Sequence, residues 1–151
     1  MRERLFRGKA INRDPNRHYR TEYKNGDWVF GLLSKYDKYG AEMTNEDGVS
    51  GIDVDIETVE DYAGIHDKNG ARVFEGDICK NGLGEVMIVE WCKEYHTLGY
   101  KVIVDEIVKT KKTGKRFYGG WYLLFDCEPH NIEVIGNIYD NPELLEDIVC
   151  E

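Results

Sequence analysis

Two cysteine–histidine pairs are the first residues in this chain whose types could do chemistry. Cys92 is followed by His96, and Cys127 by His130. Two thiolates and two imidazoles are the right count for a tetrahedral zinc site. The spacings match such sites only loosely, and the two pairs lie far apart in sequence. Core or loop cysteines with solvated histidines are the simpler reading, so no metal and no cofactor is assigned. A second group is Asp53, Asp55 and Glu57, which alternate with Ile52, Val54 and Ile56. On a strand those carboxylates share one face at a spacing that could hold a divalent cation. The same alternation sets them opposite the apolar face, and a solvated sheet face is the simpler reading.

Nucleophilic and phosphate-binding patterns fall short as well. Gly48-Val49-Ser50-Gly51 has its serine out of place for a nucleophile elbow. Gly82-Leu83-Gly84 lacks the third glycine and the Lys-Ser/Thr ending of a phosphate-cradling loop. No catalytic residue is assigned, and the chain is read as a non-enzyme.

The candidate binding residues are Lys109, Lys111, Lys112, Lys115 and Arg116, which crowd one hairpin tip ahead of Phe117, Tyr118, Trp121 and Tyr122. Cations there would meet phosphates while aromatic faces stack bases. Against this stand 29 acidic residues facing 20 basic ones, a formal charge of −9 that disfavours a polyanion. Lysines at a hairpin edge also guard it against aggregation. Nucleic acid is therefore the alternative partner. The preferred ones are another protein or further copies of the chain. The charge is uneven: residues 1–24 hold eight cations against three anions, and residues 132–151 hold six acids and no base.

The rest of the chain must position these groups. Its 151 residues, 41% hydrophobic and 32% charged, suit one compact unit or two small ones sharing a core. Apolar runs such as Trp121–Phe125 are far too short to cross a bilayer. Met1-Arg2-Glu3-Arg4 opens no signal peptide. A cytoplasmic protein with reduced thiols is expected, Cys79 and Cys92 being buried in strand-like runs.

Glycine and Asn-Gly punctuation dominates. Strands are expected at 5–11, 27–33, 52–57, 62–65, 73–74, 78–80, 85–92, 100–108, 117–125 and 132–139. A polar loop, 12–25, follows the first. Asn69-Gly70 favours a type I′ turn. Gly119-Gly120 suits a bulge or sharp bend, and Trp28, Trp91 and Trp121 are expected to fill the core. Only the C-terminus reads as helix, with Asn141 capping, Pro142 in the first turn, and Leu144, Leu145 and Ile148 on one face. Many strands joined by short turns argue a mainly β protein, built as a small antiparallel barrel or a pair of sheets.

Three segments together resemble a known family. The first joins Arg7-Gly8-Lys9 with Gly26-Asp27-Trp28-Val29-Phe30-Gly31. The second runs from Glu57-Thr58-Val59 through Tyr62, Gly64-Ile65 and Asp67-Lys68-Asn69-Gly70 to Phe74-Glu75-Gly76-Asp77-Ile78. The third is Val134-Ile135-Gly136-Asn137-Ile138-Tyr139-Asp140-Asn141-Pro142-Glu143-Leu144-Leu145. They are similar to the YopX family of phage and prophage proteins, over nearly the whole chain. The resemblance implies a phage or prophage origin in a bacterial host and an SH3-like barrel; it implies no activity. Residues 12–25 and the tip near Lys111 are longer than that pattern requires. The expected organisation is an N-terminal β-rich lobe over 1–59 and an SH3-like barrel with a short C-terminal helix over 60–151, as two lobes or one compact unit. The expected role is a non-catalytic accessory module that binds a host or phage protein or self-associates.

Overall fold

The computed structural model describes residues 5–11, 23–93, 97–104, 121–123 and 131–146. The chain is mainly β. Its strands are β1 (Phe6–Lys9), β2 (Trp28–Asp37), β3 (Gly40–Asn45), β4 (Ile52–Val54), β5 (Glu60–His66), β6 (Arg72–Phe74), β7 (Asp77–Lys80), β8 (Val86–Cys92), β9 (Thr97–Val104), β10 (Trp121–Leu123) and β11 (Glu133–Asn137). One short helix, α1, spans Glu143–Glu146. Among the described residues, no helix is long and apolar enough to cross a membrane. One sheet has the order β4-β3-β2-β1-β5-β6 and the other β10-β9-β8-β7-β11. Among the described residues the strand ladders given by register are antiparallel, as connections of a few residues require. No ladder joins β10 to β11 among the described residues, where the second sheet has β10 at one end of its order and β11 at the other.

The chain divides into two units at Tyr62/Ala63, inside β5. Alternation builds the core of the first. Val29 and Leu33 of β2, Ala41 and Met43 of β3, and Ile52 and Val54 of β4 look inward together. Met43 and Val54 are fully buried. Gly8 of β1 lies against both, and a Cβ there would come within 3.2 Å of the Met43 sulfur. Truncating a fully buried methionine leaves a cavity as well as losing transfer energy. Met43→Ala is expected to destabilise the protein by about 3 kcal/mol, read as an earlier denaturant midpoint.

Two departures from strict alternation shape this unit. Strand β2 runs four residues past its expected end, and β3 forms a hairpin with it that the alternation of 27–33 does not announce. A bulge between Leu33 and Lys35 interrupts the β2–β3 register, so the apolar period is broken there. The expected strand 52–57 stops at Val54. Asp55 instead caps a 3₁₀ turn over Ile56–Thr58, its carboxylate accepting the Glu57 N–H at 3.1 Å. Thr58 then locks the turn to β1: its hydroxyl donates to Asp55 O at 2.7 Å and accepts from Lys9 N at 2.9 Å.

In the second unit, Ala63, Val73, Cys79, Met87, Val89, Leu98, Tyr100 and Ile132 form the core. Cys79 and Cys92 are buried free thiols. The tryptophan expectation is corrected at two positions. Trp91 is half exposed. Trp28 is only partly buried, with the Arg7 guanidinium 4.5 Å and the Lys9 ammonium 5.2 Å from its ring centroid. Trp28 pairs Lys9 in register, and Phe30 pairs Arg7. Trp28 and Phe30 alternate with the core residue Val29, which places them on the other sheet face. The Trp121 side chain, residues 12–22 and Gly119-Gly120 lie outside what is described.

Candidate functional site

Three loops share one construction. In each, an Asx residue starts the turn and a glycine stands three residues later. Asn45 Oδ1 accepts from Asp47 N and Val49 N at 3.0 and 2.9 Å. Asp67 Oδ1 accepts from Asn69 N and Ala71 N at 2.9 and 2.8 Å. Asn81 Oδ1 accepts from Leu83 N and Glu85 N, both at 3.0 Å. The glycines Gly48, Gly70 and Gly84 have φ of 85°, 82° and 82°, a left-handed turn position that favours glycine. The Asn69-Gly70 turn is thus not the two-residue I′ form. Asp67 N donates to Ala71 O at 2.8 Å and Gly70 N to Asp67 O at 3.1 Å, which closes a three-residue loop. Lys68 N, which a I′ turn would use for closure, donates instead to Ile132 O at 2.9 Å.

Asp67 also reaches a distant strand. Its second oxygen accepts the Val134 N–H of β11 at 2.9 Å, while Lys68 Nζ stands 3.3 Å from Glu133. Burial pushes the Asp67 carboxyl up. The hydrogen bonds from Val134, Ala71 and Asn69, with Lys68 nearby, outweigh that and hold it below its ordinary 3.8. Two further buried carboxylates also hold the fold. Asp77 accepts the Phe74 N–H at 2.8 Å, and Glu85 accepts from the Asn81 amide at 2.9 Å. Asn141 reaches both ways from the helix start: its amide nitrogen donates to Glu143 Oε1 at 3.4 Å, and its backbone oxygen accepts the Leu144 N–H at 3.1 Å. Its Oδ1 accepts the Asn137 N–H at 3.2 Å and ties the helix start to β11.

The candidate site residues Lys109, Lys111, Lys112, Lys115 and Arg116 lie outside the described residues, as do His96, Cys127 and His130. Cys92 is buried. Among the described residues, no three His, Cys, Asp or Glu side chains are grouped to hold a metal. Asp53, Asp55 and Glu57 do not form one strand row, because only Asp53 is on β4.

What the described surface offers is a ribbon in the first unit. Strand β1 pairs β2 only over Trp28–Gly31. Beyond Gly31, β2 is paired on one side by β3, and its other edge has no ladder among the described residues. Leu32, Tyr36 and Tyr39 are exposed there by 57%, 60% and 74%. The ribbon is internally well made. Lys35 stands across from Glu42 and Tyr36 across from Ala41. Ser34 Oγ donates to Glu42 O at 3.1 Å, and Asp37 Oδ1 accepts from Tyr39 N at 2.8 Å. Lys38 Nζ lies 5.0 Å from the Tyr39 ring centroid. The sequence signals for it were Asp37-Lys38-Tyr39-Gly40, a turn composition, and Ala41 and Met43 alternating with Glu42 and Thr44.

The Asx loop at Asp67, the Phe74–Ile78 turn and the β11–helix junction are the segments that carried the family resemblance, and each makes specific long-range bonds. No curated protein matches the chain. The family model described as YopX protein matches residues 19–146, which takes in the ribbon, all three Asx loops and the helix. Coverage of that extent settles membership: the chain belongs to the YopX family.

Proposed function

We propose that this chain is a non-catalytic accessory protein of a phage or prophage, working in the host cytoplasm by binding a protein partner through the free half of the β2–β3 ribbon. Membership in a phage-type family of poorly defined function supports the setting. The buried carboxylates Asp67 and Asp77 support the non-catalytic part, because both hold backbone N–H groups of the fold. The observation that carries the reading is the exposure of Leu32, Tyr36 and Tyr39 beside an edge of β2 that has no ladder partner among the described residues. Large apolar side chains grouped at a sheet edge are a surface that strand addition or side-chain docking can cover.

The test is affinity capture from lysogenic host extract, with and without nuclease, comparing the wild type with a Leu32→Asp/Tyr36→Asp/Tyr39→Asp variant. A protein recovered after nuclease treatment and lost with the variant is the expected result. Recovery that nuclease abolishes would favour the nucleic-acid alternative at Lys109, Lys111, Lys112, Lys115 and Arg116. Equal recovery by both proteins would remove the ribbon from the reading.

A further inference from the structure

We propose that Asn69 is a self-modification site, where the chain converts its own asparagine through a cyclic imide to aspartyl and isoaspartyl forms. The proposal is independent of the β2–β3 ribbon. Asparagine followed by glycine supplies both reacting groups, since glycine has no Cβ to shield its backbone nitrogen. The Gly70 nitrogen attacks Cγ of Asn69, so a new C–N bond closes the ring and the Cγ–Nδ2 bond breaks. The Gly70 amide proton is given up, and the side-chain nitrogen leaves as ammonia. Water, the one other reactant, then opens the ring at either carbonyl. One opening leaves an aspartyl residue with the main chain unaltered. The other routes the main chain through the side-chain methylene as isoaspartate.

The chain holds three Asn-Gly pairs, at Asn25, Asn69 and Asn81, and lysine precedes each of them. Their local chemistry is therefore the same, and only the fold distinguishes them. The Asn81 carboxamide is clamped at both ends: its oxygen accepts from Leu83 N and Glu85 N, and its nitrogen donates to Glu85 Oε1. At Asn25, the attacking nitrogen would be Gly26 N, which donates to Ala10 O at 3.0 Å and so ties the turn to the end of β1. Asn69 is exposed, and among the described residues its carboxamide makes no hydrogen bond. The clamp of its loop is carried by the Asp67 side chain instead. Gly70 N gives one bond within the turn, 3.1 Å to Asp67 O, and nothing lies within 4 Å of where a Gly70 Cβ would stand. Attack at Asn69 thus opens one turn bond, whereas attack at Asn81 must release three side-chain bonds. The isoaspartyl product adds a main-chain carbon between Asn69 N and Ala71 N, the two donors that Asp67 Oδ1 accepts. The same carboxylate holds Val134 of β11, so the reaction loosens the loop that ties that strand.

Incubating the full chain at mildly alkaline pH tests this, with peptide mapping by mass spectrometry and isoaspartyl methyltransferase labelling as readouts. In the folded chain Asn69 is expected to convert about tenfold faster than Asn81, because two further hydrogen bonds must open at Asn81. In denaturant the three sites are expected to convert at similar rates. Asn69→Gln, whose imide would need a larger ring, is expected to remove the product at this position and leave the other two sites unchanged. The isoaspartyl form, separated by ion exchange, is expected to melt below the unmodified chain. Asn69→Asp is expected to melt close to the wild type, because it charges an exposed side chain and breaks no bond. A folded chain in which Asn25 or Asn81 converts fastest overturns the proposal, as does one in which no site converts while all three do so in denaturant. An isoaspartyl form as stable as the unmodified chain overturns the effect on the Asp67 loop and leaves the modification site standing.

Discussion

Replacing Asp67 by alanine is expected to lower the unfolding free energy by about 4 kcal/mol, the largest effect of any exchange outside the cores. The side chain is 6% exposed and accepts three backbone N–H groups, from Asn69, Ala71 and Val134. Hydrogen bonds to a charged acceptor contribute roughly 1.5–3 kcal/mol each, and an orphaned buried donor costs more than a lost contact. The turn amides can recover water when the carboxylate goes, whereas the Val134 N–H bond on β11 is partly buried and recovers less. Asp67→Asn should cost about half as much, because its amide nitrogen must face one of the three donors. Chemical denaturation followed by fluorescence measures both.

The same residue makes stability depend on pH with a defined sign. Its carboxyl is held below 3.8 in the folded chain, so between that depressed value and about 4 the unfolded chain binds more protons. The stabilisation is complete above about pH 5 and drains away as pH falls through the folded value. The difference between the wild type and Asp67→Ala should therefore shrink on acidification below about pH 4. A difference constant down to pH 2 would show that the carboxylate charge is not what holds the loop.

Gly31→Ala is expected to cost about 3 kcal/mol or more, for a steric reason. A Cβ at Gly31 would stand 2.0 Å from Thr44 O and 2.8 Å from Asn45 Cα, both backbone atoms of β3. Neither is the movable end of a side chain, so the two strands must separate where Gly31 pairs Asn45. Asn45 also begins the first Asx loop, and the displacement would pull on the bonds it receives from Asp47 and Val49. Gly48→Ala is the control. Nothing lies within 4 Å of its Cβ, and only its φ of +85° resists the side chain, at a cost of about 1–2 kcal/mol. Equal losses at the two glycines would mean that close strand approach at Gly31 is not the constraint.

How much of this was legible depends on which force shaped each segment. Strands β7, β8 and β11 read well because their apolar runs are bounded by glycine turns. The Asp67 loop was found at its Asn-Gly dipeptide, but its geometry belongs to the pair Asp67 and Gly70, and the same pair recurs at Asn45 and Gly48. Strand β3 alternates Ala41 and Met43 with Glu42 and Thr44, but the run is short, and the bulge at Ser34 breaks the period of its partner β2, so the hairpin the two form is not announced. Ile56 and Glu57 kept the period of two yet left the strand, because the Asp55 side chain captured the next turn. Trp28 stands beside Arg7 and Lys9 and not in a core because its partners come from β1, a pairing that distance in sequence conceals. The ribbon was not legible as a site: nothing in the order of residues says that the described β1–β2 ladder runs only over Trp28–Gly31.

One bond sets an order of events during synthesis. The Asp67 carboxylate and Val134 N–H are 67 residues apart in the chain, whereas the pairings of β1 to β4 close within the first 62 residues. As the polypeptide leaves the ribosome, the earlier ladders can form while the later acceptor still waits for its donor. Translation must pass Val134 before the second core can be sealed, so a ribosome stalled upstream of it would present that half of the protein open to proteases.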